Sequence, residues 1–310
     1  MIVNWHGHVY PPEDIAARTW NGASPFAIES YLDIHSRAGV DLSVVTNTIH
    51  SLRGLTPERA LTGIKRWDDY AAEVQETFPD RVVAFASTIP GGGPAYLAEL
   101  ERAVRDCGLK GVLINSSYDG HYPDDDDARD FFELVTELGI PVFVHAPFSG
   151  FGEERMRDYR LASSVGRPFD ECLSLARMIV RGVLERHPDL VLVGAHLGGG
   201  ICEVIGRMDY AYELRDEAQF LGPYEPMLIS KPPSRYLRQM YFDTVSFHPP
   251  AIRCAVETVG AGHLVLGADA PPLSPLLPRA IEIVQNLGLP DEDVAAICSG
   301  NALRLLGLGA

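Results

Sequence analysis

Ile2-Val3-Asn4-Trp5-His6-Gly7-His8 is a short apolar run that ends in two histidines two residues apart. In a strand, alternate side chains share a face. His6 and His8 therefore point the same way, and Gly7 between them adds no bulk. Neutral imidazoles that converge like this suit zinc and other first-row divalent metals. A strand ending in such a pair predicts further ligands at the ends of other strands.

Working outward, seven more short strand patterns follow, at 42–46, 81–87, 111–115, 141–145, 191–196, 240–244 and 264–269. Several are continuous apolar runs, as in strands buried on both faces of a parallel sheet. Helical patterns separate most of them. Ser24-Pro25 and Thr56-Pro57 place a capping side chain before a proline at the first helical position. The four acids Asp124 to Asp127 read as the solvated first turn of a helix. Eight strands alternating with helices predict a single (β/α)8 TIM barrel, one domain over residues 1–310. A doubly wound open sheet is the alternative, but no G-x-G-x-x-G or G-x-x-x-x-G-K-[ST] supports its nucleotide-binding forms.

Composition narrows the function. The 310 residues carry 26 Lys+Arg against 42 Asp+Glu, a net charge of −16, with no basic cluster. A nucleic-acid or anionic-membrane surface is therefore not expected. A small anionic substrate stays open, because a metal and one arginine reverse the sign locally. No apolar run approaches the roughly 18–20 residues of a membrane span, and no secretory leader is evident. Five scattered cysteines (Cys107, Cys172, Cys202, Cys254, Cys298) predict reduced thiols in a cytoplasmic protein.

The polar residues then fall into one pattern. His6 and His8 end the first strand, His145 the fifth and His196 the sixth, and Asp269 follows the eighth. All five lie at carboxyl ends, the face on which barrel enzymes build their sites. His35, His187 and His263 fall on helices or before a strand and read as surface or capping residues. His50, His121 and His248 lie in loops on the active face. Tyr10, Trp5, Phe148 and Phe247 read as aromatic walls or as packing.

His6-x-His8, His145, His196 and Asp269, in this strand order, resemble the amidohydrolase superfamily. Pro141-Val-Phe-Val-His145, Ala195-His196-Leu-Gly-Gly-Gly200 with Gly206-Arg207 downstream, and Leu266-Gly-Ala-Asp269 are similar to its aminocarboxymuconate-semialdehyde decarboxylase-like members. The resemblance spans His6 to Asn301. It implies one divalent metal, usually zinc and in some members manganese, held by His6, His8, His145 and Asp269. It implies His196 as a catalytic acid/base and Arg207 as a binder of a substrate carboxylate, reaching across a homodimer interface. The strand ending in Asn115-Ser116 has its lysine, Lys110, before it, so the lysine that bridges two metals is missing. Asn4 stands where the family's opening motif usually has aspartate, and His145-Ala146-Pro147 replaces its His-Pro. The second substrate-binding arginine has no clear counterpart, Arg18 and Arg53 being the candidates.

The expected activity is metal-dependent, non-oxidative decarboxylation of a small aromatic or unsaturated carboxylic acid. His196 is the proton carrier, Asp269 a metal ligand and proton relay, and no organic cofactor is required. The alternative is a hydrolase or hydratase in which the metal and Asp269 activate water against an amide or lactone. A third reading, a non-catalytic metal-bound scaffold, needs His196 to be merely structural.

Overall fold

The computed structural model describes residues 1–16, 24–48, 55–148, 150–217 and 225–309. Eight parallel staves form a ring. They are β1 (Val3–His8), β2 (Leu42–Thr46), β3 (Val82–Ala84, continued by Ala86–Ser87), β4 (Val112–Asn115), β5 (Val142–His145), β6 (Leu192–Gly194), β7 (Tyr241–Asp243) and β8 (Leu264–Val265). Every ladder is parallel, from β1 against β2 round to β7 against β8. The last stave meets the first through Trp5 N–H to Leu266 O and His8 N–H to Ala270 O, both at 2.8 Å. The result is the expected (β/α)8 barrel.

One principal helix follows each stave: α1 (Ile28–Arg37), α2 (Pro57–Thr77), α3 (Pro94–Arg105), α4 (Arg129–Leu138), α5 (Arg167–Val180), α6 (Ile201–Glu213), α7 (Pro249–Val259) and α8 (Leu277–Gln285). The Thr56 hydroxyl caps α2, accepting the Arg59 N–H. Ser24-Pro25 instead makes a turn, and α1 begins only at Ile28.

The period of two divides each stave between two cores. Val3, Trp5, Val44, Phe85, Leu113, Phe143, Val193 and Val265 fill the barrel interior, closed by Ala302 and Leu306 from the terminal helix Asn301–Leu305 and the residue after it. Their neighbours Val45, Ala84, Val112, Ile114, Val144, Leu192 and Leu264 pack outward against the helices. Trp5 is thus a core side chain, edge-on to Phe85 with ring centres 5.4 Å apart.

The first stave departs from simple alternation. Its register against β2 shifts between Asn4 and Gly7, and such an irregularity re-aims side chains. Asn4 faces α1 at Tyr31 and His35, whereas His6 and His8 face the barrel mouth. A Cβ on Gly7 would overlap the Tyr31 hydroxyl, so glycine there lets α1 close on the stave.

Two surface expectations are corrected. His35 is fully buried rather than a surface or capping residue. Asp124 is also buried, 2.7 Å from Arg177 Nε and 3.6 Å from Arg181 Nε; it anchors α5 instead of facing solvent. All five cysteines are free. No helix among the described residues is long and apolar enough to cross a membrane.

Candidate metal centre and active site

The carboxyl ends of β1, β5, β6 and β8 bring the five expected residues together. One ligand atom each of His6, His145, His196 and Asp269 lies within 4.8 Å of the others. His8 adjoins them, its Nε2 3.2 Å from His6 Nε2 and 3.3 Å from Asp269 Oδ1.

The far ring nitrogens decide what the near ones offer. His6 Nδ1 donates to the buried Asp243 carboxylate at 2.6 Å. His145 Nδ1 donates to the Ala146 carbonyl at 2.8 Å. The Thr46 hydroxyl donates to Gly7 O, so it accepts from His8 Nδ1, both at 2.9 Å. In a neutral imidazole only one nitrogen carries a proton. All three Nε2 atoms therefore present lone pairs, and partners of this kind are what orient metal-binding histidines.

Burial, with His8 and His196 nearby, holds His6 well below the ordinary histidine range although Asp269 opposes it. Burial, with His6, His8 and His196 nearby, does likewise to His145, Asp269 again opposing. Burial alone would raise Asp269; His6, His196 and His8 reverse this and hold it well below the usual carboxylate range.

The donor set fits a divalent metal. His145 Nε2 is buried and meets no hydrogen-bond partner among the described residues. The His6 and His8 Nε2 lone pairs face each other at 3.2 Å, a separation that suits two nitrogens each about 2.0–2.1 Å from one ion. Three neutral imidazoles and an ionised carboxylate are a donor set that zinc and manganese accept.

His196 is held differently. Its Nδ1 lies 2.9 and 3.1 Å from the two oxygens of Glu171, and its Nε2 3.5 Å from Asp269 Oδ2. Burial opposes its charge, but the Glu171 and Asp269 carboxylates outweigh it and raise its pKa well above the ordinary value. Asp269 thus divides its oxygens: Oδ1 faces His6 and His8, and Oδ2 faces His196.

Backbone strain aims these groups. His196, Leu197, Gly198, Gly199 and Gly200 run through five successive positive φ values, from 48° at His196 to 91° at Gly200. A Cβ on Gly199 would overlap the Pro168 carbonyl oxygen. The glycines let this turn press onto the start of α5, which carries Glu171. Asp269 also has φ 49°. Such conformations persist where the surroundings over-determine them, often at functional sites.

A cavity of about 660 Å³ opens above His196 and Asp269. Leu197, Val245, Phe247 and Leu273 give it apolar walls, and Arg160, Arg167, Ser163 and Ser164 a polar one. Arg207 is not on this lining; it is exposed on α6, its guanidinium 5.9 Å from the Tyr210 ring centre. Of the proposed aromatic walls, Phe247 lines the cavity, Phe148 lies beneath the Arg167 guanidinium and Tyr10 stacks on Phe26. His121 and His248 are exposed and off the lining, Lys110 is exposed before β4, and His50, Arg18 and Arg53 lie outside the described residues. Asp243, Glu171, Thr46 and Arg167 were not foreseen. The acid ending Met240-Tyr-Phe-Asp243 was a signal of the same kind as Asp269; a glutamate inside a helix gave none.

Comparison with known proteins agrees with the barrel fold. A family model described as amidohydrolase matches residues 3–308. The 2-amino-3-carboxymuconate-6-semialdehyde decarboxylase of Dictyostelium discoideum is 30% identical over 278 residues, 88% of this chain and 74% of that protein. A 2,6-dihydroxybenzoate decarboxylase from Rhizobium superposes with a TM-score of 0.83 at 20% identity, covering 99% of this chain and 98% of the other. A dihydroxybenzoic acid decarboxylase from Polaromonas sp. JS666, solved with bound manganese and 2-nitroresorcinol, gives 0.80 at 19% identity, covering 99% and 97%. The solved structures speak for the fold, and the sequence match carries the family: the chain belongs to the amidohydrolase family, among its 2-amino-3-carboxymuconate-6-semialdehyde decarboxylase-like members.

Proposed function

We propose that this protein is a metal-dependent decarboxylase of a small aromatic or unsaturated carboxylic acid. The observation that carries the reading is the placement of His196, its Nδ1 on Glu171 and its Nε2 3.5 Å from Asp269, beside His6, His8 and His145. His6, His8, His145 and Asp269 would hold one divalent metal, zinc in the first instance and manganese in the second. The bound ion would polarise a substrate oxygen and hold the acid in an electron-accepting geometry.

The remaining work belongs to the chain. Leu197, Val245 and Phe247 enclose the hydrocarbon part of the substrate and exclude water from it. As the carbon–carbon bond breaks, its electron pair stays on the substrate carbon and carbon dioxide leaves. His196 delivers its Nε2 proton to that carbon, while Nδ1 stays on Glu171 and keeps the ring in place. Asp269 Oδ2, 3.5 Å from Nε2, is positioned to relay a proton from water back to His196. General acid catalysis of this kind contributes about 10²–10⁴-fold.

Arg207, exposed on α6, would serve the site of a second copy in a homodimer. The ring of staves plugged by the terminal helix supports one domain over residues 1–310, and the five free cysteines support a cytoplasmic location. The test is elemental analysis together with product analysis. About one zinc or manganese per chain, lost in the His6→Ala/His8→Ala double variant, is expected, with carbon dioxide released from hydroxybenzoates or muconate-like acids. Incorporation of ¹⁸O from labelled water into an amide or lactone substrate, without carbon dioxide release, would replace this reading by the hydrolase one.

A further inference from the structure

We propose that Asp68 and Glu99 share one proton at neutral pH, and that this buried acid pair is an alkali-sensitive clasp joining α2, α3 and the carboxyl rim of β3. The inference is independent of the reaction assigned to the metal centre. Asp68, on α2, is fully buried, and Glu99, on α3, is nearly so. Asp68 Oδ1 accepts the Ser87 N–H at 3.0 Å, where β3 ends. Its Oδ2 is shielded from solvent and meets no hydrogen-bond donor among the described residues. What the Asp68 carboxyl does meet is the carboxyl of Glu99, in a side-chain hydrogen bond. Two carboxylates offer acceptors alone, so this contact needs a proton on one of them.

The neighbours decide which. Arg102 forks onto Glu99: its Nε lies 3.2 and 3.0 Å from the two oxygens, and its Nη2 2.7 Å from Oε1. The same guanidinium reaches Asp69 at 2.7 Å and the Cys107 thiol at 3.2 Å. Such a fork favours a carboxylate, so the negative charge belongs to Glu99 and the proton to Asp68 Oδ2. Glu99 and Arg102 on α3, Asp69 on α2 and Cys107 after α3 are the titratable groups around Asp68. Burial and Glu99 push its carboxyl well above the usual range, although the Ser87 N–H and Arg102 oppose this. The folded chain thus holds the proton to a higher pH than the unfolded chain, which releases it near about 3.9. Stability from the protonated pair is complete below that pH and is lost as pH rises through the raised, folded value. Above it, two like charges are left in contact out of water. The strain has a route to the barrel mouth: the Ser87 hydroxyl donates to Asn47 O at 3.4 Å, and Asn47 follows Thr46, which holds His8.

Infrared spectroscopy and urea unfolding of the metal-loaded protein test this. Asp68→Asn keeps an acceptor for the Ser87 N–H and turns a permanent donor toward Glu99, so it copies the protonated acid at every pH. Glu99→Gln hands Arg102 to Asp68 and removes the reason for the proton. The wild type at pH 7 should show a carboxylic-acid C=O band that is lost in both variants. Its urea midpoint should shift down from pH 6 to pH 9 more than that of Asp68→Asn, leaving Asp68→Asn the more stable protein at pH 9. If the acid band is unchanged in both variants, Asp68 carries no proton and the inference is overturned. It is overturned equally if the urea midpoints of wild type and Asp68→Asn run parallel from pH 6 to pH 9. Should one variant fail to fold, the band difference against the other decides.

Discussion

Glu171 ties the end of stave β5 to His196: one of its carboxylate oxygens accepts the Ala146 N–H at 2.8 Å and lies 2.9 Å from His196 Nδ1. A buried carboxylate in this position sets both the orientation and the charge of the imidazole. Glu171→Gln keeps the shape and removes the charge. We expect kcat to fall about 10²-fold, the lower end of what a positioned acid contributes. KM and metal content should change little, since the Glu171 oxygens meet the Ala146 N–H and His196 Nδ1 rather than His6, His8 or His145. Steady-state kinetics with parallel elemental analysis check this; an equal loss of bound metal would mean that Glu171 supports the ligands rather than the acid.

Asp243 plays the corresponding part for His6, accepting from Nδ1 at 2.6 Å. It also accepts the Val245 N–H at 2.9 Å and the Leu197 N–H at 3.3 Å. Burial pushes it up to about 6, although His196 and the two N–H groups oppose this. Partners of metal-ligating histidines typically matter about 10–100-fold in metal affinity. Asp243→Asn should weaken zinc binding by that factor, measured by competition with a chelator. Unchanged affinity would show that the His6 ring is held by packing, against Phe143 and the neighbouring histidine rings.

The Gly198-Gly199-Gly200 turn offers a stability test with an internal control. At Gly199 (φ 63°) a Cβ would overlap the Pro168 carbonyl oxygen, whereas at Gly200 (φ 91°) the nearest atom is Glu203 Oε2 at 3.5 Å. Both alanine variants bear the left-handed penalty of about 1–2 kcal/mol. Gly199→Ala adds overpacking, roughly a further 1–3 kcal/mol. Urea unfolding should rank wild type above Gly200→Ala and Gly200→Ala above Gly199→Ala. Equal losses would mean that α5 moves aside freely.

The sequence showed the candidate ligands more clearly than their supports, for a physical reason. A barrel stave buried on both faces can end in a polar group only at its carboxyl rim, so His6, His8, His145, His196 and Asp269 stood out against apolar runs. Glu171 sits in a helix whose pattern already accounts for charged residues, and nothing local shows which of them turns inward. Arg167, the first residue of α5, gave no local signal either. His35 misled because the helix periodicity that puts it inward is weak evidence beside its polarity; its burial depends on Asn4, thirty-one residues away, presenting a donor to it. The register shift in β1, which separates Asn4 from the histidines, comes from pairing with β2 and left no mark in the composition of either strand.

That pairing makes the most direct pH prediction. His35 Nδ1 donates to Tyr31 O at 2.8 Å, and its Nε2 accepts from Asn4 Nδ2 at 3.1 Å, so the buried ring is neutral. Burial pushes it down to about 4, from an unfolded value of about 6.5. The unfolded chain then binds the extra proton first. Stability from this site is complete above about pH 6.5 and is lost as pH falls toward 4, by roughly 3 kcal/mol in all. Asn4→Asp replaces the donor with a carboxylate. The carboxylate favours imidazolium, His35 gains a proton on folding, and its contribution now fades as pH rises past its new, raised value. Burying the ion pair also costs more than burying the neutral pair, by about 1–4 kcal/mol. Urea unfolding from pH 4.5 to 7.5 should show stability rising with pH less steeply in Asn4→Asp than in wild type. Asn4 also meets His6, its Nδ2 donating to His6 O and its Oδ1 accepting the His6 N–H, both at 3.2 Å, but through the backbone and not the imidazole, so bound metal should be unchanged. Parallel pH slopes in the two proteins would mean that His35 is neutral in both, and that the Asn4 amide matters for shape alone.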